Sequence, residues 1–320
     1  MASLATKQQS STTPSFFNFL KQGLFLPTHN PRLFAAVFSI IVTSSSLLLL
    51  GNFLAVQHLT DEIRLDIKAL NSTNPRSQEY LHLLQDIQGD TRRILLTGAA
   101  CLLLAVVIGS AIQVLLLFAA VATYSGELRT FGSLLGKVRR QLKGPLLTLA
   151  FVYALETAYV ALLAAMAGLC YHVMLKQHIV LLFVVSLLLV VSILFLVYFS
   201  ILCPMAVVVA VAEPGCHGAG AVARARRLMK GKLRRAILLV CVTFLLSASI
   251  FPVYSHAKRS VLSNMVSGWL LGFVYTVLMA AVRLFADCAM TVFYYECKGS
   301  TEASATTEYA MVSTKEQIDD

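Results

Sequence analysis

The sequence predicts an all-α polytopic membrane protein with six transmembrane helices, and three observations support this fold class. Hydrophobic residues make up 58% of the 320-residue chain and charged residues only 13%, whereas soluble domains contain about 25% charged residues. The mean hydropathy is +0.75. Six apolar segments also reach the roughly 20 residues that a helix needs to cross a bilayer. These segments are residues 33–56, 94–122, 145–174, 179–212, 236–254 and 265–295.

Each apolar segment is predicted to be helical, because backbone polar groups must be paired within hydrocarbon and the sequence lacks the alternating pattern of barrel strands. Together they form a membrane domain over residues 33–297. Residues 1–32 are basic, rich in Ser and Thr and free of acids, a composition similar to that of organelle transit peptides. We favour a disordered tail over 1–14 and an interfacial helix over 15–26, because prolines interrupt the chain just before the first span.

The segment 57–93 is the longest one between spans, and it is too short for a soluble catalytic domain. Its apolar residues recur at helical spacing in two runs with a break at 71–75, which predicts two short amphipathic helices on the lumenal surface. Asn71-Ser72-Thr73 is an acceptor triplet for N-glycosylation. We therefore expect a glycoprotein with its sugar at Asn71.

Basic residues determine the predicted orientation. Lys and Arg are concentrated in the N-terminal segment and in the loops 123–144 and 213–235, so the positive-inside rule places both termini, including the tail 298–320, in the cytoplasm. The net charge of +10 is typical of a membrane surface, and no aromatic-interleaved basic motif indicates nucleic acid. A tyrosine-based sorting pattern at 309–312 hints at endomembrane traffic; the endomembrane system and the plasma membrane both stay open.

The fourth span is unusually long. Residues 179–212 would extend roughly 51 Å as a helix, and Pro204 removes the hydrogen bond that the Ser200 carbonyl would accept. The alternative is a span followed by a short re-entrant piece. Because charged or glycine-rich residues that would turn the chain are missing, we predict one long helix kinked at Pro204.

From the fourth span onward the chain contains, in order, Cys203-Pro204, Glu213-Pro214-Gly215, Ala223-Arg224-Ala225 and 228–232 (LMKGK). This pattern resembles the six-helix membrane domain attached to some bacterial glycerophosphodiester phosphodiesterases, with Ala225 where that group often has Ser. Residues 16–32 and 291–298 resemble an uncharacterised plant family of the same architecture. The resemblance implies a fold and no activity, because the phosphodiesterase catalytic domain has no counterpart in the sequence.

The loop 213–235 contains a predicted basic helix over 219–232. Each basic side chain near an anionic leaflet contributes on the order of 1 kcal/mol of attraction. The simpler interpretation is that these charges only fix topology. The candidate headgroup ligands are Arg224, Arg226, Arg227, Lys230, Lys232, Arg234 and Arg235.

Glu156, Arg283 and Asp287 lie within predicted spans, where ionisable groups mark either an interior ion pair or a functional path. Arg283 and Asp287 are four residues apart and share a helix face. A stripe of small residues from Ala154 to Gly168 runs nearly opposite Glu156 and predicts close helix contact. We expect Glu156 close to Arg283, either as a structural triad or as the polar site of a transporter or channel.

No nucleophile motif, metal-ligand spacing or cofactor signature is present, so we expect no enzymatic activity, no metal and no cofactor. The leading hypothesis is a non-enzymatic membrane component that interacts with the lipid bilayer, anionic lipids in particular, or with other membrane proteins. The alternative is a transporter or channel with its polar site at Glu156, Arg283 and Asp287.

Overall fold

The computed structural model describes residues 17–52, 58–72, 78–127, 130–176, 179–263 and 265–316. Its helices are α1 (Asn18–Phe25), α2 (Pro31–Asn52), α3 (His58–Ser72), α4 (Gln78–Tyr124), α5 (Phe131–Gln141), α6 (Lys143–Leu175), α7 (Ile179–Ala212), α8 (Ala219–Met229), α9 (Leu233–Ser263) and α10 (Met265–Glu316). A short 3-10 helix (Leu26–His29) joins α1 to α2. The all-α prediction is confirmed.

Six helices in the described part of the chain are long and apolar enough to cross a membrane. These candidate spans are Pro31–Asn52, Gln85–Tyr124, Lys143–Leu175, Val180–Ala212, Leu233–Ser260 and Val266–Thr301. Much of their surface is exposed and apolar; Val180, Phe183 and Leu194 in α7 are 81%, 70% and 65% exposed. Such a continuous apolar surface is typical of contact with lipid. The six spans indicate an integral multi-pass membrane protein.

The chain divides into two compact units. The first comprises Met1–Phe34, Leu116–Leu245 and Leu284–Asp320. Its core is formed by the end of α7, where Met205 and Val209 are fully buried, together with Leu116, Leu134 and Phe293. This unit contains α5 and α8, which carry six of the twelve Lys and Arg residues in the loops 123–144 and 213–235.

The second unit comprises Ala35–Leu115 and Leu246–Arg283. In it α2 and α10 are joined by a hydrogen bond of 3.1 Å between the Ser46 and Thr276 hydroxyls. The rings of Tyr254 in α9 and Tyr275 in α10 lie 5.2 Å apart. These three helices enclose a mostly apolar cavity of about 350 Å³, with Lys258 among its lining residues.

The N-terminal prediction is partly corrected. A helix is present at Asn18–Phe25, but Phe19 is buried and its ring lies 5.7 Å from that of Phe293 in α10. The helix therefore packs on protein through this face, because burying an aromatic ring against another is favourable. The predicted tail over 1–14 lies outside the described residues.

Of the two short helices predicted in 57–93, the first is present and the second is part of a longer helix. The first is α3, and Asn71 lies in its last turn. The second run is not a separate helix, because α4 begins at Gln78 and continues through the whole of the second span to Tyr124. No proline interrupts residues 78–124, and a helix that has nucleated propagates at little cost. In the same way α9 continues to Ser263, and α10 continues to Glu316, past the predicted start of the tail.

The fourth span is one helix, as predicted. α7 is 34 residues long with Pro204 inside it, and no re-entrant break occurs between Ile179 and Ala212. The helix ends directly before Glu213, and Gly215 and Gly218 in the following turn have φ of 103° and 58°. Both values lie in the left-handed region that favours glycine. The bend at Pro204 stays a prediction.

Candidate functional site

The first unit contains a polar cluster centred on Glu213, at the junction of α7 and α8. The Tyr294 hydroxyl of α10 donates a hydrogen bond of 2.9 Å to Glu213 Oε1. Arg224 Nε of α8 lies 3.3 Å from Oε2, and Lys298 Nζ lies 3.6 Å from Oε1. One carboxylate thus connects the end of α7 to α8 and α10.

The environment of Glu213 favours its ionised form. Burial alone would raise the pKa of this carboxyl group, but the hydrogen bond from Tyr294 and the charges of Arg224 and Lys298 outweigh it. The pKa of Glu213 is therefore lowered from its usual value of 4.5. The Glu213 carboxylate is therefore ionised at neutral pH.

A second cluster joins α9 to α10. Arg235 Nη1 lies 3.4 Å from Glu296 Oε2, and Lys232 Nζ donates to the Glu296 carbonyl oxygen at 3.1 Å. Lys232 also donates to the Ser300 hydroxyl. Two of the predicted headgroup ligands, Lys232 and Arg235, thus make internal contacts.

The turn between α7 and α8 is anchored to α6. The Thr148 hydroxyl is buried; it donates to the Gly144 carbonyl at 3.1 Å and accepts a hydrogen bond of 2.8 Å from the Gly218 amide. The His217 imidazole lies against the Gly144 backbone, where an added Cβ would overlap the ring. A glycine at 144 is therefore needed for His217 to occupy its place.

Beside this turn is a cavity of about 190 Å³, which we call the polar cavity. Arg140 and Gln141 at the end of α5, Lys143 at the start of α6, and His217 form its polar lining. Phe118, Ala210 and Val211 contribute an apolar wall. The lining contains two permanent cations and no carboxylate, so the cavity suits an anion.

A larger groove lies between α7 and α8, and we call it the α7–α8 groove. Its volume is about 1200 Å³. Leu194, Phe195 and Tyr198 belong to its apolar wall, and Arg226, Arg227 and Lys230 are basic members of its lining. The wall runs along α7 from Val191 to Leu202, a rise of about 16 Å.

The structure separates the predicted headgroup ligands into two sets. Arg224, Lys232 and Arg235 contact acidic residues or carbonyl groups of the protein itself. Arg226, Arg227, Lys230 and Arg234 are exposed, and none of them is in an ion pair among the described residues. The sequence alone treats all seven as equivalent, because charge does not show which of them have partners; those of Lys232 and Arg235 on α10 are 64 and 61 residues away.

The intramembrane charges are found on α6 and α10. Glu156 in α6 forms a hydrogen bond with the Cys203 thiol of α7. In the second unit the Arg283 guanidinium donates to the Gly109 carbonyl of α4 at 2.8 Å. Asp287 is on α10 within the first unit, and its carbonyl accepts a hydrogen bond from Thr291. The predicted proximity of Glu156 and Arg283 stays a prediction.

The predicted small-residue contact on α6 is not made within the first unit. Ala154, Ala158 and Gly168 are exposed. α6 packs on α7 through the opposite face, where the Tyr159 hydroxyl donates to the Ser192 carbonyl at 2.6 Å. A polar side chain without a partner in hydrocarbon is costly, so satisfying Tyr159 and Glu156 outweighs the close approach of small residues.

Two residues of these sites were not identified from the sequence. His217 lacks any motif context, and its place depends on contact with Gly144 in another helix. Tyr294 lies within the predicted sixth span, but its partner Glu213 is 81 residues away. Local spacing cannot reveal such long-range pairs. Among the described residues, no group of three or more His, Cys, Asp or Glu side chains could hold a metal ion.

A family model described as a domain of unknown function, DUF8558, matches residues 6–307. The chain belongs to this family. The DUF8558 match covers all six candidate spans, α5 and α8. The Glu213 and Glu296 clusters, the polar cavity and the α7–α8 groove therefore lie inside it. No curated protein matches the chain. No solved structure matches it either.

Proposed function

We propose that this DUF8558 protein is a non-enzymatic membrane component that holds anionic phospholipid in the α7–α8 groove at its cytoplasmic face. The observation that carries the proposal is the combination of an apolar wall and a basic rim in one groove. Such a surface matches an amphiphile with acyl chains at one end and negative charge at the other.

The dimensions of the groove support a lipid occupant. The wall along α7 extends about 16 Å, close to half of the roughly 30 Å hydrocarbon core of a bilayer. Leu194 and Phe195 on this wall are more than half exposed. An acyl chain from one leaflet would cover them, with its headgroup at the level of α8.

The charges of the rim support an anionic headgroup. α8 buries Ala221, Ala225 and Leu228 on one face, which leaves the basic side chains of its other face at the surface. Arg226 and Arg227 are exposed, whereas the neighbouring acid Glu213 is already paired with Arg224. The rim therefore presents positive charge that the described protein does not neutralise.

The orientation follows from charge. Basic loops are retained in the cytoplasm, so α5, α8 and both termini are proposed to lie there, and α3 with Asn71 on the lumenal side. The cytoplasmic leaflet carries the anionic lipids that a basic groove would select. The resemblance to the membrane domain of bacterial phosphodiesterases concerns architecture and adds no catalytic residue to this proposal.

Native mass spectrometry of the full-length protein with equal amounts of phosphatidylserine and phosphatidylcholine tests the proposal. The protein is expected to retain phosphatidylserine preferentially. The triple variant Arg226→Gln, Arg227→Gln, Lys230→Gln should reduce that preference by up to about 100-fold, since each charge contributes on the order of 1 kcal/mol.

A matched control removes three exposed charges elsewhere. Arg64→Gln, Lys68→Gln and Arg92→Gln, in α3 and α4, change the net charge equally and are expected to leave the lipid preference unchanged. Equal losses in the two triple variants, or equal retention of both lipids by the unaltered protein, would contradict the proposal.

A further inference from the structure

We propose that the polar cavity is a binding site for a phosphate group, separate from the α7–α8 groove. The two share no lining residue: the cavity is built by the α5–α6 junction and the turn after α7, and the groove by α7, α8 and the start of α9. The inference therefore does not depend on the proposed lipid groove.

The charge of the lining selects an anion. Arg140 and Lys143 lie on either side of the α5–α6 junction and line the same 190 Å³ cavity, and no Asp or Glu is in that lining. An arginine fork binds phosphate oxygens in pairs, and a lysine supplies a compact charge beside them. Gln141 adds an uncharged donor between the two cations.

His217 supplies the observation that points to a ligand. Its Nδ1 is buried and has no hydrogen-bond partner among the described residues. Buried polar atoms of native proteins are almost always paired, and one that is not needs an explanation. His217 lines the cavity, and a turn of its ring in place would bring this nitrogen to a phosphate oxygen there.

The surroundings hold His217 in this position. Its ring rests on the Gly144 backbone, and the next residue is fixed by the hydrogen bond between the Gly218 amide and Thr148. α8 begins at Ala219, so the positive end of its dipole lies two residues from the imidazole. The Arg140 and Lys143 cations favour negative charge in the cavity that the ring lines.

Two sources of phosphate share this chemistry: the phosphomonoester headgroup of a lipid and a soluble phosphate. Calorimetric titration of the detergent-purified full-length protein separates them, with inorganic phosphate and dioctanoyl phosphatidic acid as probes. Saturable binding of both, or of inorganic phosphate alone, identifies a site for phosphate itself; binding of the lipid analogue alone identifies a headgroup site. Dioctanoyl phosphatidylcholine, whose phosphate is covered by a choline cation, is expected not to bind.

Variants connect the binding to the cavity. Arg140→Gln or Lys143→Gln should weaken binding about tenfold to 100-fold, the effect of one charged hydrogen-bond partner. Arg139→Gln changes the same charge on the same helix outside the lining and should have less than about a twofold effect. His217→Phe replaces the imidazole with a phenyl ring, which has no nitrogen atoms, so it should also weaken binding.

His217→Gln provides a second variant with a hydrogen-bonding side chain, in case a phenyl ring disturbs folding; it should bind more tightly than His217→Phe. The proposal is overturned if neither phosphate probe saturates at millimolar concentration, if phosphatidylcholine binds equally well, or if Arg139→Gln and Arg140→Gln weaken binding to the same extent.

Discussion

Removing the Tyr294 hydroxyl should destabilise the protein through Glu213. The ring of Tyr294 is fully buried, and its hydroxyl donates to the Glu213 carboxylate at 2.9 Å. A hydrogen bond to a charged group contributes about 1.5–3 kcal/mol. In Tyr294→Phe the carboxylate keeps Arg224 and Lys298 as partners, so we expect the lower end of this range, about 1.5 kcal/mol.

The free energy of unfolding can be measured in mixed micelles with increasing SDS, with the reactivity of buried thiols as the signal. Cys203, Cys288 and Cys297 are at most 1% exposed, so they react only after unfolding. The partly or fully exposed cysteines are replaced by Ser in the parent protein; these are Cys101, Cys170, Cys216 and Cys241.

Tyr295→Phe is the control, because it removes the same hydroxyl from the next residue. The Tyr295 ring stacks on Tyr124 with 4.3 Å between centroids, and the variant keeps that contact. We expect a change below about 0.5 kcal/mol. In a Glu213→Ala background Tyr294→Phe should cost almost nothing, because the acceptor is gone. Equal effects of Tyr294→Phe with and without Glu213 would show that the hydroxyl does not act through this carboxylate.

Three further predictions concern the same chain. Glu213→Gln should be less stable than the unaltered protein at neutral pH. The difference in stability should shrink as pH falls below about 4.5, because a carboxyl group whose pKa is lowered by folding stabilises the protein only while it is ionised. Melting curves at several pH values check this. Gly144→Ala should displace His217 and lower the melting temperature. Gly132→Ala is the control, because its Cβ would meet no atom within 4 Å, and it should leave the melting temperature unchanged. An equal drop in melting temperature in the two variants would contradict the close contact between Gly144 and His217. If Glu156 belongs to a structural triad, Glu156→Gln should lower stability without changing a measured ion flux; loss of flux in a folded and correctly localised variant would instead favour the transporter alternative.

The helical architecture could be predicted because it depends on local properties. A stretch of about 20 apolar residues is enough to predict a membrane span. Both ends of α7 agree with the prediction, because charged residues flank the apolar segment on both sides. The ends of the other helices were harder to predict. α4 begins well before its apolar segment and α10 ends well after its own, because polar residues without a proline allow a helix to continue into water.

The sites were less predictable because they depend on contacts between distant residues. The sequence identified Arg226 and Arg227 as candidates by charge, but it could not tell them from Arg224, which pairs with Glu213. The position of His217 depends on the absence of a side chain at Gly144. The face of α6 that contacts α7 is not the predicted stripe of small residues. The small-residue rule does not include the need of the Tyr159 hydroxyl for an acceptor, which the Ser192 carbonyl provides.

Photocrosslinking in nanodiscs shows whether an anionic lipid occupies the α7–α8 groove. A phosphatidylserine with a photoreactive group in its acyl chain is activated on the reconstituted protein, and the labelled peptides are identified by mass spectrometry. We expect the adducts to be concentrated on residues 191–202 of α7, and to be reduced by excess unlabelled phosphatidylserine but not by phosphatidylcholine. Adducts spread evenly over the exposed apolar residues of all six spans, with equal competition by both lipids, would contradict it.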